Sequence, residues 1–192
     1  MKVLAILGSP RKRGNTEVLA REVLRGAEAS GADVDAVYLD DLTIRPIADV
    51  GDVRSSQRVD PRSDDDFLDL LERFLDADVI LLASPVYWHA VSGQMKCFLD
   101  RMSCYFRVPS YAGHFDGKGY VVVCTFGQDD PNHHRWVTEP LKECVRVLRG
   151  RYLGDVSASV QTSKRGEVAL DAKSMGRAFQ LGKNAVTMAA GE

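Results

Sequence analysis

The chain has 192 residues, 45% of them hydrophobic, which suffices for one well-buried core but not for two ordinary domains. Its 25 basic and 27 acidic side chains nearly cancel, so the composition gives no general attraction to nucleic acid or to an anionic membrane. The apolar start, MKVLAIL, is too short for a secretory signal, and no segment reaches the roughly 18 apolar residues of a membrane span. These features predict a single cytoplasmic domain over residues 1–192.

Short apolar runs rich in β-branched residues alternate with segments of helical periodicity. The predicted strands are KVLAIL, DVDAVYL, DVILLA, GYVVVCTF and a weaker LGDVSASV. The predicted helices cover residues 15–31, 63–78, 92–106, 132–149 and about 171–189. Because parallel strands need crossover connections and bury both faces, this alternation predicts an α/β fold with a mostly parallel sheet covered by helices on both sides.

The ends of the predicted elements carry local signals. Gly31 is a suitable residue for the C-terminus of the first helix. Ser63 with Asp66 forms a capping-box pattern at the start of the second helix, and capping explains the acidic run 64–66 more simply than a metal site does. Residues 40–62 lack periodicity and have few large apolar side chains, so we expect a surface excursion there.

The loop LGSPRKRGNT, residues 7–16, lies between the first strand and the first helix. Open parallel sheets bind ligands at the carboxyl ends of their strands, and the N-terminus of a helix attracts anions. Backbone N–H groups, together with the side chains of Ser9, Asn15 and Thr16, can donate to such an anion. The loop therefore predicts a phosphate site, against the alternative of a solvated turn that carries three cations.

The sequence of residues 7–16 does not match other known phosphate-binding or phosphate-cleaving loops. A Walker A loop needs Lys and then Ser or Thr after its second glycine, but Asn15 follows Gly14 here. A dinucleotide fingerprint needs three glycines, and this loop has two. The C-x5-R loop of low-molecular-weight phosphatases is absent from this turn, so phosphoester hydrolysis has no nucleophile there.

A second informative stretch, LLASPVYWHAVSGQMKCFLDR, covers residues 81–101. The third strand ends at Ser84, an aromatic turn follows, and a helix begins near Ser92. Tyr87 and Trp88 taken alone would more often be core or interface residues. If the third strand lies beside the first, the two loops flank one crevice that suits a ligand with a phosphate at one end and a flat ring at the other.

GSPRKRGNT followed about 70 residues later by SPVYWHAVSGQMKCFLDR resembles the NAD(P)H-dependent FMN reductase and iron–sulfur flavoprotein branch of the flavodoxin-like superfamily. The resemblance extends over residues 1 to about 160. It implies a flavodoxin-like fold with a five-stranded parallel sheet in the order 2-1-3-4-5. It also implies an FMN cofactor, which performs the redox chemistry, and NAD(P)H as the co-substrate.

The resemblance assigns eleven cofactor-binding residues. The phosphate would be held by Ser9, Arg11, Asn15 and Thr16. The isoalloxazine would contact Pro85, Val86, Tyr87 and Trp88, with Thr125, Gly127 and Gln128 closing a third side. Backbone N–H groups of the aromatic turn would stabilise negative charge on the reduced flavin.

No catalytic acid or base is assigned. His89 could protonate a reduced quinone-like acceptor, although a helix-entry histidine without chemistry is the simpler interpretation. His133 and His134 are adjacent and point in different directions, which argues against a metal site. The four cysteines are widely spaced and fit reduced structural thiols, and residues 42–64, where relatives with a cluster carry their cysteines, contain none. We therefore expect no iron–sulfur cluster.

Two functions remain open at this stage. The first is a flavoenzyme that passes electrons from NAD(P)H to a quinone, flavin, nitro or azo compound. The second is an electron carrier or FMN-binding protein without its own NAD(P)H turnover, and the near-neutral charge favours the first, since small carriers are strongly acidic. The aromatic residues Tyr105, Phe106, Tyr111 and Phe115 exceed what a loop needs for its own packing and predict a homodimer or homotetramer, against the alternative of a loop folded back on its own core.

Overall fold

A computed structural model describes residues 1–49, 51, 60, 62, 64–161 and 164–191. The strands are β1 (Lys2–Leu7), β2 (Asp33–Tyr38), β3 (Val79–Pro85), β4 (Gly119–Phe126) and β5 (Arg151–Ser159). The helices are α1 (Asn15–Glu28), α2 (Phe67–Asp76), α3 (Gly93–Met102), α4 (Pro109–Ala112), α5 (Arg135–Val147) and α6 (Ala172–Ala190), with 3₁₀ turns at Leu39–Asp41 and Glu167–Leu170.

The five strands form one parallel sheet in the order β2-β1-β3-β4-β5, so the predicted fold class is confirmed. Side chains alternate across it: Leu4 and Ile6 face the core under α2, α3 and α5, whereas Val3 and Ala5 face the core under α1 and α6. Helices cover both faces, as a parallel sheet with two buried faces requires. None of the helices in the described ranges combines the length and apolar character of a transmembrane span.

The helices α1 and α6 cross at two glycines. A Cβ atom at Gly182 would lie 1.9 Å from the carbonyl oxygen of Val23, and one at Gly26 would lie 2.0 Å from that of Phe179. No side chain fits between backbones at these distances. The predicted C-terminal helix is therefore packed directly on the helix that follows the first loop.

The predicted start of the second helix is wrong by several residues. The helix α2 begins at Phe67, and Ser63 lies outside the described residues. The carboxylate of Asp65 accepts from the backbone N–H of Phe67 at 3.2 Å, but it also pairs with the guanidinium of Arg101 at 2.6 Å. The acidic run therefore serves a buried ion pair as well as the helix end.

Arg101 has no exposed side-chain surface and also pairs with Asp60 at 2.6 Å. Burial disfavours the charged form of Asp65, but hydrogen bonds from Arg101 and from backbone N–H groups outweigh it and lower the pKa of that carboxyl. Residue 60 belongs to the predicted surface excursion, and Leu42 and Ile44 pack against the core. The described part of 40–62 is thus anchored to the core, whereas residues 50, 52–59 and 61 lie outside the described ranges.

The aromatic residues that motivated the oligomer prediction are not an exposed group. Tyr105 and Phe115 are buried, and Phe106 and Tyr111 are partly buried against the same core. Tyr105 packs edge-on against Tyr111 at 5.3 Å between ring centroids. Tyr105 and Phe115 fill the space beside α3, so these two rings give no support to an interface between copies.

Candidate functional site

Three loops meet at the carboxyl edge of the sheet, following β1, β3 and β4. The register pairs Leu7 with Ala83 and Pro85 with Thr125, so these three strands end side by side. β1 is bonded on one side to β2 and on the other to β3, which makes the gap beside its end the topological switch point of the sheet.

The loop after β1 is tightly ordered around Gly14. The N–H of Gly14 donates to the carbonyl of Arg11 at 3.0 Å, and a Cβ at Gly14 would lie 2.6 Å from that same oxygen. The hydroxyl of Ser9 accepts from the N–H of Arg11 at 3.2 Å. Gly14 precedes α1 directly, so the unpaired N–H groups of the first helical turn open toward this loop.

Glu17 fixes the exit of the loop. Arg13 has a left-handed backbone with φ 57°, and its N–H donates to the Glu17 carboxylate at 2.5 Å. The same carboxylate accepts from Arg21 and Tyr38. Burial opposes ionisation, but these hydrogen bonds outweigh it and hold the pKa of Glu17 below its usual value. The charged carboxylate thus stabilises a conformation that non-glycine residues rarely adopt.

The cationic side chains of this loop do not all face the cleft. Lys12 pairs with Asp41 at 2.6 Å, whereas Arg11 lines the cleft that the three loops enclose. The positive charge available to a ligand is therefore smaller than the letters RKR suggest.

Thr16 and Asn15 differ in what they contact. The buried hydroxyl of Thr16 lies 2.6 Å from that of Thr125, which ties the first loop to the end of β4. The Asn15 side chain accepts from the N–H of Val168 at 3.1 Å and donates to the carbonyl of Lys164 at 3.5 Å. Asn15 thus holds the segment before α6 against the loop, a role that could not be predicted because its partners lie about 150 residues away.

The aromatic turn after β3 reverses at residues 87–90. Tyr87 and Ala90 exchange two backbone hydrogen bonds of 2.9 and 3.0 Å, and Trp88 and His89 between them have φ values of 49° and 58°. The N–H of Val86 donates to the carbonyl of Thr125 at 2.9 Å. The N–H groups of Val86 and Tyr87 are therefore engaged within the protein, which removes two of the amides expected to face a flavin.

Two buried serines connect this turn to the first loop. The Ser92 hydroxyl donates to the carbonyl of Gly8 at 2.6 Å and accepts from the N–H of Met95 at 3.3 Å, so it also caps α3. The Ser84 hydroxyl accepts from the N–H of Ser92 at 3.0 Å. Sequence reasoning placed the helix start at Ser92 but missed this cross-link, because its partner lies 84 residues away.

The loops enclose a cleft of about 210 Å³. Nine of the eleven predicted residues line it: Ser9, Arg11, Asn15, Thr16, Pro85, Val86, Tyr87, Thr125 and Gly127. Its lining also includes Gly14, Phe126 and Val160, which sequence reasoning missed although each adjoins a predicted residue or a strand end. Trp88 and Gln128 are not among the lining residues, and Trp88 is 98% exposed.

Rings beyond the cleft join the loops after β3 and β4. The His89 ring lies 4.9 Å from Trp136 and 5.0 Å from His133, and the His133 ring lies 5.9 Å from Phe126. His134 instead places its Nδ1 2.9 Å from the carbonyl of Pro131. Among residues that the structure describes, no group of three or more His, Cys, Asp or Glu side chains is arranged to hold a metal ion.

A parallel sheet in this order with a ligand cleft at its switch point defines a flavodoxin-like α/β protein. The chain belongs to the NADPH-dependent FMN reductase family, whose model matches residues 1–175. It is 36% identical over 131 residues to an iron-sulfur flavoprotein of Archaeoglobus fulgidus, an alignment that covers 68% of this chain and 58% of the relative.

Two further comparisons agree with this family and fold. The chain is 27% identical over 127 residues to FMN-dependent NADH:quinone oxidoreductase 1 of Pseudomonas syringae, covering 57% of this chain and 60% of the relative. The alignments thus span somewhat more than half of either relative's length. The solved flavodoxin, WrbA-like protein of Agrobacterium tumefaciens matches with a TM-score of 0.65 at 17% identity, covering 99% of this chain and 98% of that one.

The residues at the cleft suit FMN, the cofactor that this family is named for. A phosphate dianion suits the N-terminus of α1, with Ser9 and Arg11 beside it. A flat ring suits the backbone and side chains of Pro85, Val86 and Tyr87 at the other end. The donor set therefore matches a ligand that is anionic at one end and planar at the other.

Proposed function

We propose that this protein is an FMN-dependent oxidoreductase that accepts electrons from NAD(P)H and passes them to a small acceptor such as a quinone, flavin, nitro or azo compound. The observation that carries the proposal is the convergence of three separate loops on one cleft at the switch point, in a member of this family. The cofactor supplies the electron-transfer chemistry when bound, and the protein binds and orients it.

In this proposal the phosphate lies against the loop after β1. Ser9 and Arg11 donate side-chain hydrogen bonds, and the first turn of α1 supplies backbone N–H groups. Thr16 donates from within the cleft while its hydroxyl also contacts Thr125. Asn15 acts chiefly by holding residues 164–168 in place, because both ends of its amide are already engaged.

Pro85, Val86 and Tyr87 would hold the isoalloxazine, with Thr125 and Gly127 on its third side. Trp88 and Gln128 each follow a lining residue directly, and we assign them to the outer edge of the ring site. The bound cofactor would supply the redox chemistry, so the task of these residues would be to align two planar groups and to exclude water between them.

Anaerobic addition of NADPH to the purified yellow protein tests the function. Bleaching of the flavin absorbance on a turnover timescale, followed by its return when a quinone is added, is the expected result. A flavin that stays oxidised in the presence of NADPH, yet accepts electrons from a chemical reductant, would instead identify an electron carrier.

Arg11→Ala tests the phosphate assignment. Because charge-assisted hydrogen bonds contribute about 1.5–3 kcal/mol, FMN affinity should fall roughly 10- to 100-fold. Riboflavin, which lacks the phosphate, should bind both proteins equally. Arg177→Ala, at an exposed position on α6, is the matched control and should change neither affinity. Equal FMN affinity of the Arg11→Ala and Arg177→Ala variants would move the phosphate elsewhere.

We further propose that residues 1–192 act as one domain in the cytoplasm, as a homodimer or homotetramer. All four cysteines lie in the described residues and none of them forms a disulfide, which fits a reducing compartment. An apolar groove of about 230 Å³ between α3 and α5, whose lining includes Leu99, Met102, Phe106 and Val147, is a better basis for self-association than the buried rings of Tyr105 and Phe115. Light scattering of the FMN-bound protein at micromolar concentration gives the subunit number.

The absence of an iron–sulfur cluster remains a prediction. Cys97 and Cys144 lie on α3 and α5, Cys104 follows α3, and Cys124 is buried within β4. Burial raises the pKa of the Cys124 thiol to about 12, which opposes the thiolate form that iron requires. Iron and sulfide analysis after anaerobic purification should find neither element, and a stoichiometric amount of both would overturn the prediction.

A further inference from the structure

A buried carboxylate lies behind the loop after β1. Glu17 is 5% exposed and is the third residue of α1, in the first turn of the helix whose N-terminus attracts anions. It is not among the residues that line the cleft. Such a position is costly for a negative charge, because burial removes it from water and a phosphate at the loop would repel it.

Three hydrogen-bond donors converge on this carboxylate. One oxygen accepts from the backbone N–H of Arg13 at 2.5 Å. The other oxygen accepts from Nε of Arg21 at 2.8 Å and from the hydroxyl of Tyr38. Both oxygens of Glu17 are therefore used as acceptors. A glutamine at this position could not replace them, since an amide has a single acceptor oxygen and its NH₂ group would face a donor.

The donors connect the loop to the end of β2. Tyr38 is the last residue of β2, and the ammonium group of Lys12 lies 5.2 Å from the centre of its ring. Lys12 also pairs at 2.6 Å with Asp41, in the 3₁₀ turn that follows β2. None of these three residues lines the cleft. The loop is thus supported by groups that do not themselves contact a ligand in the cleft.

The backbone of Arg13 depends on this support. Its φ of 57° lies in the left-handed region, which a non-glycine residue disfavours by roughly 5- to 30-fold. This conformation directs the N–H of Arg13 to Glu17, while the N–H of Gly14 donates to the carbonyl of Arg11. Without the Glu17 acceptor, the turn would relax toward right-handed backbone and displace Arg11, which lines the cleft.

We infer that Glu17 is a positioning residue that makes the loop after β1 select a flavin with a phosphate group, FMN, over riboflavin. The inference rests on the phosphate assignment in the proposed function. Two effects of the carboxylate have opposite signs. Its charge repels the phosphate, so electrostatics alone predicts tighter FMN binding when the charge is removed. Its hydrogen bonds hold Arg13, so positioning predicts weaker FMN binding.

Glu17→Gln decides between these two effects. FMN affinity should fall roughly fivefold or more, because only molecules with the native loop conformation can bind the phosphate well. Riboflavin, which has no phosphate, should bind the variant and the wild type equally. The matched control is Glu28→Gln, which removes the same charge from an exposed position at the other end of α1 and should change neither affinity. Quenching of flavin fluorescence gives the four dissociation constants.

Trypsin reports on the loop without any flavin. Arg11, Lys12 and Arg13 are exposed potential cleavage sites, and cleavage follows the population of open conformations. In the FMN-free protein, Glu17→Gln should raise the rate of cleavage within residues 11–13 roughly tenfold, because charge-assisted hydrogen bonds no longer hold the loop closed. Glu28→Gln should leave this rate unchanged. Mass spectrometry of the fragments identifies the cleaved bonds.

Two other substitutions keep the test decisive if Glu17→Gln damages the fold. Tyr38→Phe removes one donor and leaves the carboxylate, so it should produce the same changes in FMN binding and cleavage to a smaller extent. Arg13→Gly allows positive φ without the steric cost. In the Arg13→Gly protein, Glu17→Gln should therefore weaken FMN binding less than it does in the wild type.

Two outcomes would overturn the inference. One is an FMN affinity of Glu17→Gln that equals or exceeds that of the wild type. The other is an equal loss of affinity for FMN and riboflavin, which would mean general damage to the protein. Neither outcome depends on NADPH. A protein whose preference for FMN requires Glu17 but which NADPH does not reduce would retain this role of Glu17 and refute the proposed oxidoreductase function alone.

Discussion

Ser92→Ala should both destabilise the fold and disconnect the two loops that carry the cofactor residues. The Ser92 hydroxyl is wholly buried, caps α3 and donates to the buried carbonyl of Gly8. Loss of an N-cap costs about 1 kcal/mol, and a buried carbonyl left without its donor costs about 1–3 kcal/mol. Since one hydroxyl makes both contacts, we expect the free energy of unfolding to fall by about 2–4 kcal/mol.

Urea unfolding of the FMN-free protein, followed by circular dichroism, measures this loss. With a slope of about 2 kcal/mol per molar urea, the midpoint should fall by about 1–2 M. Ser110→Ala removes an exposed hydroxyl on the short helix α4 and should leave the midpoint unchanged. A Ser92→Ala protein within about 0.5 kcal/mol of the wild type would refute the reasoning, because surface substitutions produce changes of that size.

Three further substitutions test other parts of the fold. Gly182→Ala places a Cβ 1.9 Å from a carbonyl oxygen of α1 and should destabilise the folded protein by about 1–3 kcal/mol or more. The control is Gly176→Ala on the same helix, whose Cβ meets nothing within 4 Å and should stabilise the folded protein by about 0.5–1 kcal/mol. Thermal unfolding compares the two variants. Tyr120→Phe removes a buried hydroxyl that has no partner among the described residues and should raise the free energy of unfolding by about 1–2 kcal/mol in urea titrations, so a loss of stability would contradict this account. Because the pKa of Asp65 is lowered in the folded protein, its pairing with Arg101 stabilises the fold above the unfolded-state pKa of about 3.9. This stabilisation is lost as the pH falls through the lower folded-state pKa. Between pH 5 and pH 3, the free energy of unfolding of Asp65→Asn should therefore fall by less than that of the wild type.

The sheet and its two cores could be predicted from the sequence because the signal is local and repeated. Each buried strand is a short apolar run, and each long helix has a periodic apolar face. The predicted helix over 15–31 agrees with α1, which ends at Glu28 before the left-handed Gly31. The edge strand β5 is the weakest of the predicted strands because only three of its nine residues are buried and the positions between them are partly buried.

The buried ion pair could not be predicted in the same way. Arg101 ends an amphipathic segment, so the sequence predicts an exposed helix residue. Its partners Asp60 and Asp65 lie 41 and 36 residues earlier in the chain. Nothing in the local pattern distinguishes a carboxylate that caps a helix from one that neutralises a buried guanidinium. The sequence pattern therefore predicts only a helix-capping role for the acidic run.

In the candidate site, too, the residue types could be predicted from the sequence but their hydrogen-bond partners could not. Hydroxyl and amide side chains beside a helix start predict anion binding, and Ser9 and Thr16 do line the cleft. Asn15 lines it as well, yet its amide is engaged by residues 164 and 168, because a segment about 150 residues away returns to the loop. The letters predict which donors are available, and only the fold decides which of them another part of the chain uses.

The conformation of the aromatic turn is set by contacts with other parts of the chain and not by its own sequence. A two-residue turn of this kind favours Asn or Gly at its centre, so Trp88 and His89 give no sequence signal for it. Hydrogen bonds hold the chain on both sides of the turn. Val86 is hydrogen-bonded to the end of β4, and Ser92 is hydrogen-bonded to Ser84 and Gly8. The chain between Val86 and Ser92 must therefore reverse within a few residues. The left-handed backbone that results directs His89 onto the rings after β4. The same hydrogen bonds that hold the first two loops together thereby build the aromatic surface beside the cleft.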